Sequence, residues 1–229
     1  MIGRLGAALA EATGQVLASL SRLTVCSLFV ITFLLQPSQI PTSSMEPTML
    51  VGDFVLVNKQ SFAPAGHWRW LLPYRDPKRD DIIVFHYPIA PRELLVKRVI
   101  ALSGDTLHLH HGQVILNGST LTEPFTQYAI TDRSNYRDEF PTLQRADPAV
   151  EAAWWIELRR SIHNGQLPVP TGRYFAMGDN RNNSQDSRFW GFVPRSAIVG
   201  EPLAVYLSTN QYAPPRERIR WNRLFRIIR

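Results

Sequence analysis

The chain has 229 residues, 45% hydrophobic and 19% charged, enough for one good-sized domain with a packed core and too apolar for wholesale disorder. A single cysteine excludes an intramolecular disulfide framework and any multi-cysteine zinc or iron–sulfur centre. The net charge is +6, but residues 216–229 hold six Arg against one Glu, leaving only +1 elsewhere, so a nucleic-acid partner is not expected.

Residues 1–36 read as a cytoplasmic segment and membrane anchor. Leu23–Leu35 carries no charge, and a span of about 20 residues is reached by adding 15–21 with Arg22 snorkelling to the headgroups. No small-x-small cleavage site follows, and Gln36-Pro37 ends the helix, which favours an uncleaved signal-anchor over a signal peptide or a buried core helix. Arg4 and Arg22 outweigh Glu11, so the N-terminus is expected in the cytoplasm and residues 37–229 outside. Cys26, inside the apolar run, reads as inert packing.

Beyond Pro37 the texture is β. Short apolar runs at Phe54–Val57, Ile82–Phe85, Leu94–Leu102, Val114–Leu116, Ile198–Val199 and Leu203–Leu207 alternate with turn signals. Asn117-Gly118 predicts a tight hairpin. Residues 122–170, polar and with one helical stretch near Pro148–Ile162, read as an insertion. The expected fold is mainly β: an antiparallel β-sheet domain with an inserted α/β subdomain and one N-terminal transmembrane helix. His108 and His110 would share a strand face, yet no HExxH or nearby carboxylate pair accompanies them, so a polar strand edge is expected and no metal or other cofactor. The aromatic run His67–Leu72 reads equally as core filler or as a patch at a membrane interface. In the tail, Trp221, Leu224, Phe225 and Ile228 follow helical spacing, with Arg220, Arg223 and Arg226 off that stripe. They predict a basic amphipathic helix, packed on the domain or lying on anionic lipid.

Three segments carry chemistry. Pro41-Thr42-Ser43-Ser44-Met45-Glu46-Pro47-Thr48 places adjacent hydroxyls before a strand. Leu94-Leu95-Val96-Lys97-Arg98-Val99-Ile100 puts a lysine in an apolar strand; if buried, its ammonium is disfavoured and it becomes a candidate base, whereas an edge lysine would snorkel. Gly178–Arg188 is dense in hydrogen-bonding groups. There is no GxSxG elbow and no histidine in a distinctive context, so a serine activated by a neutral lysine is the arrangement that fits.

Together these segments resemble the bacterial type I signal peptidases, the membrane-bound leader peptidases. The likeness runs through Ser44-Met45-Glu46-Pro47-Thr48, Gly52-Asp53, Asp81–Phe85, Lys97-Arg98 with Gly104-Asp105, and Gly178–Arg181 through Arg188. It implies a Ser–Lys serine endopeptidase, probing preproteins for small-x-small cleavage sites and acting as a monomer at the bacterial inner membrane, its catalytic domain on the periplasmic side. By that resemblance Ser44 matches the nucleophile and Lys97 the general base. Ser184 matches the hydroxyl that orients the lysine, and Thr42 an oxyanion donor beside the Ser44 N–H. Ile40, Pro41, Met45, Val84 and Val96 would line the substrate pocket, and Asp186 and Arg188 would form a structural ion pair. Ser43 stands where a glycine is common. Members from Gram-negative bacteria often carry two N-terminal spans and a disulfide; one span and one cysteine are read here. Other Ser–Lys peptidases (pilin-maturation enzymes, self-cleaving repressors), an inactive membrane-anchored peptide binder, and a β module with fortuitous motifs are the competing readings.

Overall fold

The computed structural model describes residues 2–62, 74–128, 134–144 and 147–229, with side chains in the first helix from Thr13 on. The aromatic run His67–Leu72 lies outside the described residues.

Helix α1 (Ile2–Phe29) continues through a π-helical turn, Val30–Leu34, and runs without a loop into strand β1 (Leu35–Gln39). Thr13–Leu34 is long and apolar enough to cross a membrane, and none of it is buried against the protein. This candidate span includes Arg22 and ends at the residue before β1.

Ten more strands follow: β2 (Asp53–Asn58), β3 (Ile82–His86), β4 (Leu94–Ala101), β5 (Thr106–His110), β6 (Gln113–Leu116), β7 (Ser119–Thr120), β8 (Leu167–Pro168), β9 (Arg173–Met177), β10 (Val193–Pro194) and β11 (Ile198–Ser208). Three short helices intervene, α2 (Asn135–Asp138), α3 (Ala152–Ser161) and α4 (Ser187–Trp190). The fold is mainly antiparallel β. A seven-stranded sheet has the order β1-β2-β11-β3-β4-β9-β10, and a four-stranded sheet the order β7-β6-β5-β8. Strand β11 crosses between sheet halves, pairing first with β3 and then with β2, with bulges between Pro202 and Ala204 and between Val205 and Leu207 that bend it.

The strands lie where apolar runs predict them. The Asn117-Gly118 turn has both residues at positive φ, as a two-residue type I′ hairpin loop requires. In α3, Trp154 and Leu158 share one face and are buried, while the other face meets solvent. The excursion from the main sheet differs from the expected 122–170 insertion. It begins at Thr106, because β5, β6, β7 and β8 form a sheet of their own, in which β5 pairs with β6 and β8, and β6 with β7. Its apolar side chains, with those of β4 and β9, form the larger core around Phe140, Phe175, Leu107 and Trp154. A smaller core, Ile40, Met45, Met49, Val55, Val57, Ile82, Val84 and Val205, underlies β2 and β3.

The tail is not an amphipathic helix. Residues 215–217 and 221–223 form single 3₁₀ turns, and the rest lies against β11 through Phe225 N–H to Val205 O and Ile228 N–H to Leu203 O. The helical pattern fails because Arg223 turns inward. Its guanidinium pairs with the buried Asp53 carboxylate at 2.5 Å and donates to Thr48 O. Phe225 takes φ 58°, which breaks helical continuity. Ile228 packs on the smaller core, whereas Trp221 and Phe225 stay exposed. Burial works to raise the Asp53 pKa, but hydrogen bonds from Arg223, Ser208 and the Leu50 N–H outweigh it and hold the carboxyl below its usual range.

Candidate active site

Residues Ser43–Met45 form a 3₁₀ turn between β1 and β2, and two side-chain amides hold it against the 178–188 segment. Asn180 Nδ2 donates to Ser43 O at 3.2 Å, and Asn183 Nδ2 to Ser43 Oγ at 2.9 Å. The Asn180 N–H donates to Ser44 O at 3.1 Å. A polar irregular loop thus becomes a fixed platform, and the Ser44 hydroxyl faces inward at 8% exposure.

Lys97 arrives from β4. Its register against Ile83 of β3 turns the side chain toward the turn, and Nζ donates to Ser44 Oγ at 2.7 Å. Only 4% of Lys97 is exposed, so it is not a snorkelling edge lysine. Burial lowers its pKa to about 8; Asp186 and Asp179 pull it upward and Arg188 pushes it down. A near-neutral amine touching a hydroxyl can take its proton and leave an alkoxide nucleophile.

Thr42 Oγ1 is 3.4 Å from Ser44 Oγ, on the open side of the turn. Ser184 lies beside the site without closing a bond to it: its hydroxyl is buried and has no hydrogen-bond partner among the described residues. Asp186 and Arg188 pair bidentately at 2.8 Å, fully buried, and Asp186 also accepts the Gly178 N–H. Burial raises the Asp186 carboxyl, but Arg188 more than compensates and its pKa falls below the usual range.

A cleft of about 160 Å³ opens beside Ser44 and Lys97. All five residues expected to line it do so: Ile40, Pro41, Met45, Val84 and Val96. Its size is well under the roughly 300–1,000 Å³ of drug-sized small-molecule sites. Strand β9 pairs with β4 only from Arg98 to Ala101, which leaves Leu94–Lys97 paired with β3 alone.

Several residues of the site are missing from the sequence reading. Leu94 and Leu95 join the cleft wall. Directly behind Lys97, Arg98 clasps Asp179 through two bonds of 2.8 and 2.7 Å and stacks its guanidinium over Phe125, and Thr48 donates to the same carboxylate at 2.5 Å. Arg181 is held likewise by Glu123. Breaking such a buried pair strands a charge in low dielectric, so these pairs fix the loop's geometry more than they add net stability. Alternation in β4 carried a usable signal: Arg98, next to Lys97, had to face a buried acid on the opposite side.

A hydroxyl on a clamped turn, a buried amine at hydrogen-bond distance and a mostly apolar cleft beside them fit the chemistry of a serine-dependent acyl-transfer site on an antiparallel β scaffold. Sequence comparison meets this geometry. The model of the family described as signal peptidase, peptidase S26 matches residues 13–207, and the chain belongs to that family. It is 38% identical to signal peptidase I of Pseudomonas fluorescens over 192 residues, covering 77% of this chain and 66% of the relative. The Pseudomonas aeruginosa signal peptidase I is 36% identical, at 77% and 66% coverage. That of Aquifex aeolicus is 35% identical, covering 79% of each chain. The chain thus spans 66% of the length of the two Pseudomonas relatives. A crystal structure of a signal peptidase I from Enterococcus faecalis V583 is 32% identical, with TM-score 0.41, covering 56% of this chain and 97% of that one.

Proposed function

We propose that this chain is a membrane-anchored serine endopeptidase that removes signal peptides from exported preproteins, cutting after small-x-small motifs with Ser44 and Lys97. The observation that carries the reading is the 2.7 Å contact between Lys97 Nζ and Ser44 Oγ, with the lysine buried.

Neutral Lys97 takes the Ser44 proton as Oγ attacks the scissile carbonyl. The oxyanion gathers against the Ser44 N–H and the Thr42 hydroxyl, donors already in place before charge develops. Protonated Lys97 then gives its proton to the leaving amine. In the second half, Lys97 deprotonates a water that hydrolyses the acyl-enzyme. Ser184, its buried hydroxyl without a partner among the described residues, is available to bond the lysine ammonium as it forms; Asp186 and Arg188 hold the loop that carries it.

The substrate enters as an extended strand beside Leu94–Lys97, the stretch of β4 left unpaired on that side, and sets small side chains into the cleft. Thr13–Leu34 lies in the bacterial inner membrane as a single pass, residues 37–229 on the periplasmic side. A signal peptide's own apolar stretch occupies the same bilayer, which raises the effective concentration of one for the other. Lipid contacts the span, no nucleic acid is involved, and a monomer carries the whole site.

Incubation of the detergent-solubilised chain with a signal-peptide-bearing preprotein tests the reading. The wild type is expected to release the mature protein at the small-x-small junction and Ser44→Ala to release none. Equal cleavage by both would end the assignment.

A further inference from the structure

The β5–β6 hairpin turns through His111 and Gly112, both at positive φ, and throws two adjacent imidazoles to one side. A carboxylate from elsewhere in the chain meets them. Glu139, immediately after α2, sets Oε2 2.9 Å from His110 Nδ1 and Oε1 3.0 Å from His111 Nδ1. The His111 N–H also donates to Oε1, at 2.9 Å, and fixes the carboxylate against the turn. All three side chains can place one donor atom within 4.8 Å of the others. Both imidazoles are well exposed, at 60% and 68%.

We propose that His110, His111 and Glu139 form a surface site for a divalent transition-metal cation of the zinc class, with water completing the shell. Two imidazole nitrogens and one carboxylate are a known zinc donor set. Bonds of about 2.0–2.1 Å around a tetrahedral ion put neighbouring donors roughly 3.3 Å apart. The two nitrogen–oxygen distances already lie a few tenths of an ångström below that edge, and each carboxylate oxygen faces a different ring. An ion would spread these two contacts slightly and draw the three donor atoms, all within 4.8 Å of one another, together around it by rotation of the exposed side chains. The nitrogen-rich set favours zinc, copper or nickel over magnesium or calcium, which prefer all-oxygen shells. His108, the other candidate on this strand, takes no part: its Nδ1 is buried and has no partner among the described residues. A bound ion would tie the β5–β6 turn to the 134–139 segment, reinforcing the Glu139 contacts and the bond from the Gly112 N–H to Asp138 O at 2.9 Å. The site lies on the four-stranded sheet's hairpin, whereas Lys97 is on the seven-stranded sheet and Ser44 on the turn joining two of its strands.

The test is calorimetric titration of the full chain, in detergent, stripped with chelator and free of any polyhistidine tag, with Zn²⁺ and separately with Mg²⁺. Wild type is expected to bind one Zn²⁺ saturably and Mg²⁺ not measurably. Loss of an outer partner of a metal ligand typically costs 10–100-fold in affinity, so loss of a ligand should cost at least about tenfold. That loss is expected in His111→Ala and in Glu139→Gln, and not in His163→Ala, an exposed histidine outside the cluster. Unchanged circular dichroism shows that the variants fold. Absence of saturable Zn²⁺ binding overturns the proposal, as does affinity that survives either substitution or falls equally in His163→Ala.

Discussion

The backbone of Gly178 passes so close to that of Ser44 that a Cβ on Gly178 would lie 2.4 Å from the Ser44 carbonyl oxygen and 2.3 Å from Ser184 Oγ. Two segments 134 residues apart thus share a space that has no room for a methyl group. Gly178→Ala has to displace the turn bearing Ser44 or the loop bearing Ser184. Misplacement by about 1 Å near reacting atoms can cost 10²-fold in rate. Turnover of Gly178→Ala is therefore expected to fall by about that factor in a chain that still folds, as read by circular dichroism and single-turnover cleavage. Full activity would mean that Ser44 does not depend on this contact.

Lys97→Arg is expected to be as inactive as Lys97→Ala, because a guanidinium stays protonated and cannot accept the serine proton. The proposed mechanism requires Lys97 neutral, and its pKa is lowered to about 8. Activity should therefore rise with pH along a limb centred near 8 and fall below it. The same shift acts on stability. Between about pH 8 and the lysine's ordinary range the unfolded chain binds the extra proton, so this group makes folding more favourable as pH rises through that window. A flat cleavage profile from pH 6 to 9 would remove Lys97 as the base.

Thr42→Val keeps shape but loses the hydroxyl, while Thr42→Ser keeps the hydroxyl. Removing one oxyanion donor costs about 10²–10³ in turnover in the reference case. The valine variant should show that loss mainly in kcat, with KM little changed, and the serine variant should remain active. Wild-type turnover in Thr42→Val would assign the hole to other donors.

Arg223→Ala should destabilise the fold strongly, because Asp53 is fully buried and would keep, among the described residues, only the Arg220 guanidinium 4.0 Å away. Breaking a buried ion pair by removing one partner costs about 3–5 kcal/mol. Exposed Arg216→Gln, which has no such role, should stay within about 0.5 kcal/mol of wild type. Thermal midpoints in detergent read the difference. Because the Asp53 carboxyl is held below its usual range, its contribution is present at neutral pH and disappears as pH falls through its folded value.

Cleavage should persist in chelator and in the double variant His108→Ala, His110→Ala, since neither histidine contacts Ser44 or Lys97. Activity lost on chelation and restored by zinc even in Glu139→Gln, which lacks a ligand of the proposed surface site, would replace the serine–lysine mechanism.

Much of this fold can be read from short windows. Strands β2, β3, β4 and β6 are apolar runs between turn residues, and the Asn117-Gly118 hairpin is local chemistry. Ser44, Lys97 and the cleft residues lie in segments whose motifs are contiguous. What escapes such windows depends on partners far along the chain. Leu35–Gln39 has little strand propensity, with Pro37 at its centre; it is a strand because it lies at a sheet edge and β2 pairs with all five residues. The tail's apolar spacing is helical, yet Arg223 finds Asp53 170 residues away and that pairing wins. Glu139 likewise reaches His110 only through the tertiary fold, so no spacing rule could place it there.

Helix α1 passes into β1 with no intervening loop, and the junction is tied down: Lys59 N–H donates to Leu34 O, and Lys59 Nζ to Thr32 O at 2.8 Å. A leash would let the enzyme sample many heights above a bilayer. This junction acts as a ruler instead. Five residues of strand at about 3.3 Å each carry the chain from the end of the span toward Ser44. With Thr13–Leu34 in a membrane, the depth at which a peptide bond is cut is a fixed length rather than a distribution. Lengthening β1 by a pair of residues keeps the strand's faces in phase and raises the blade, so the scissile position should follow the anchor and not the substrate alone.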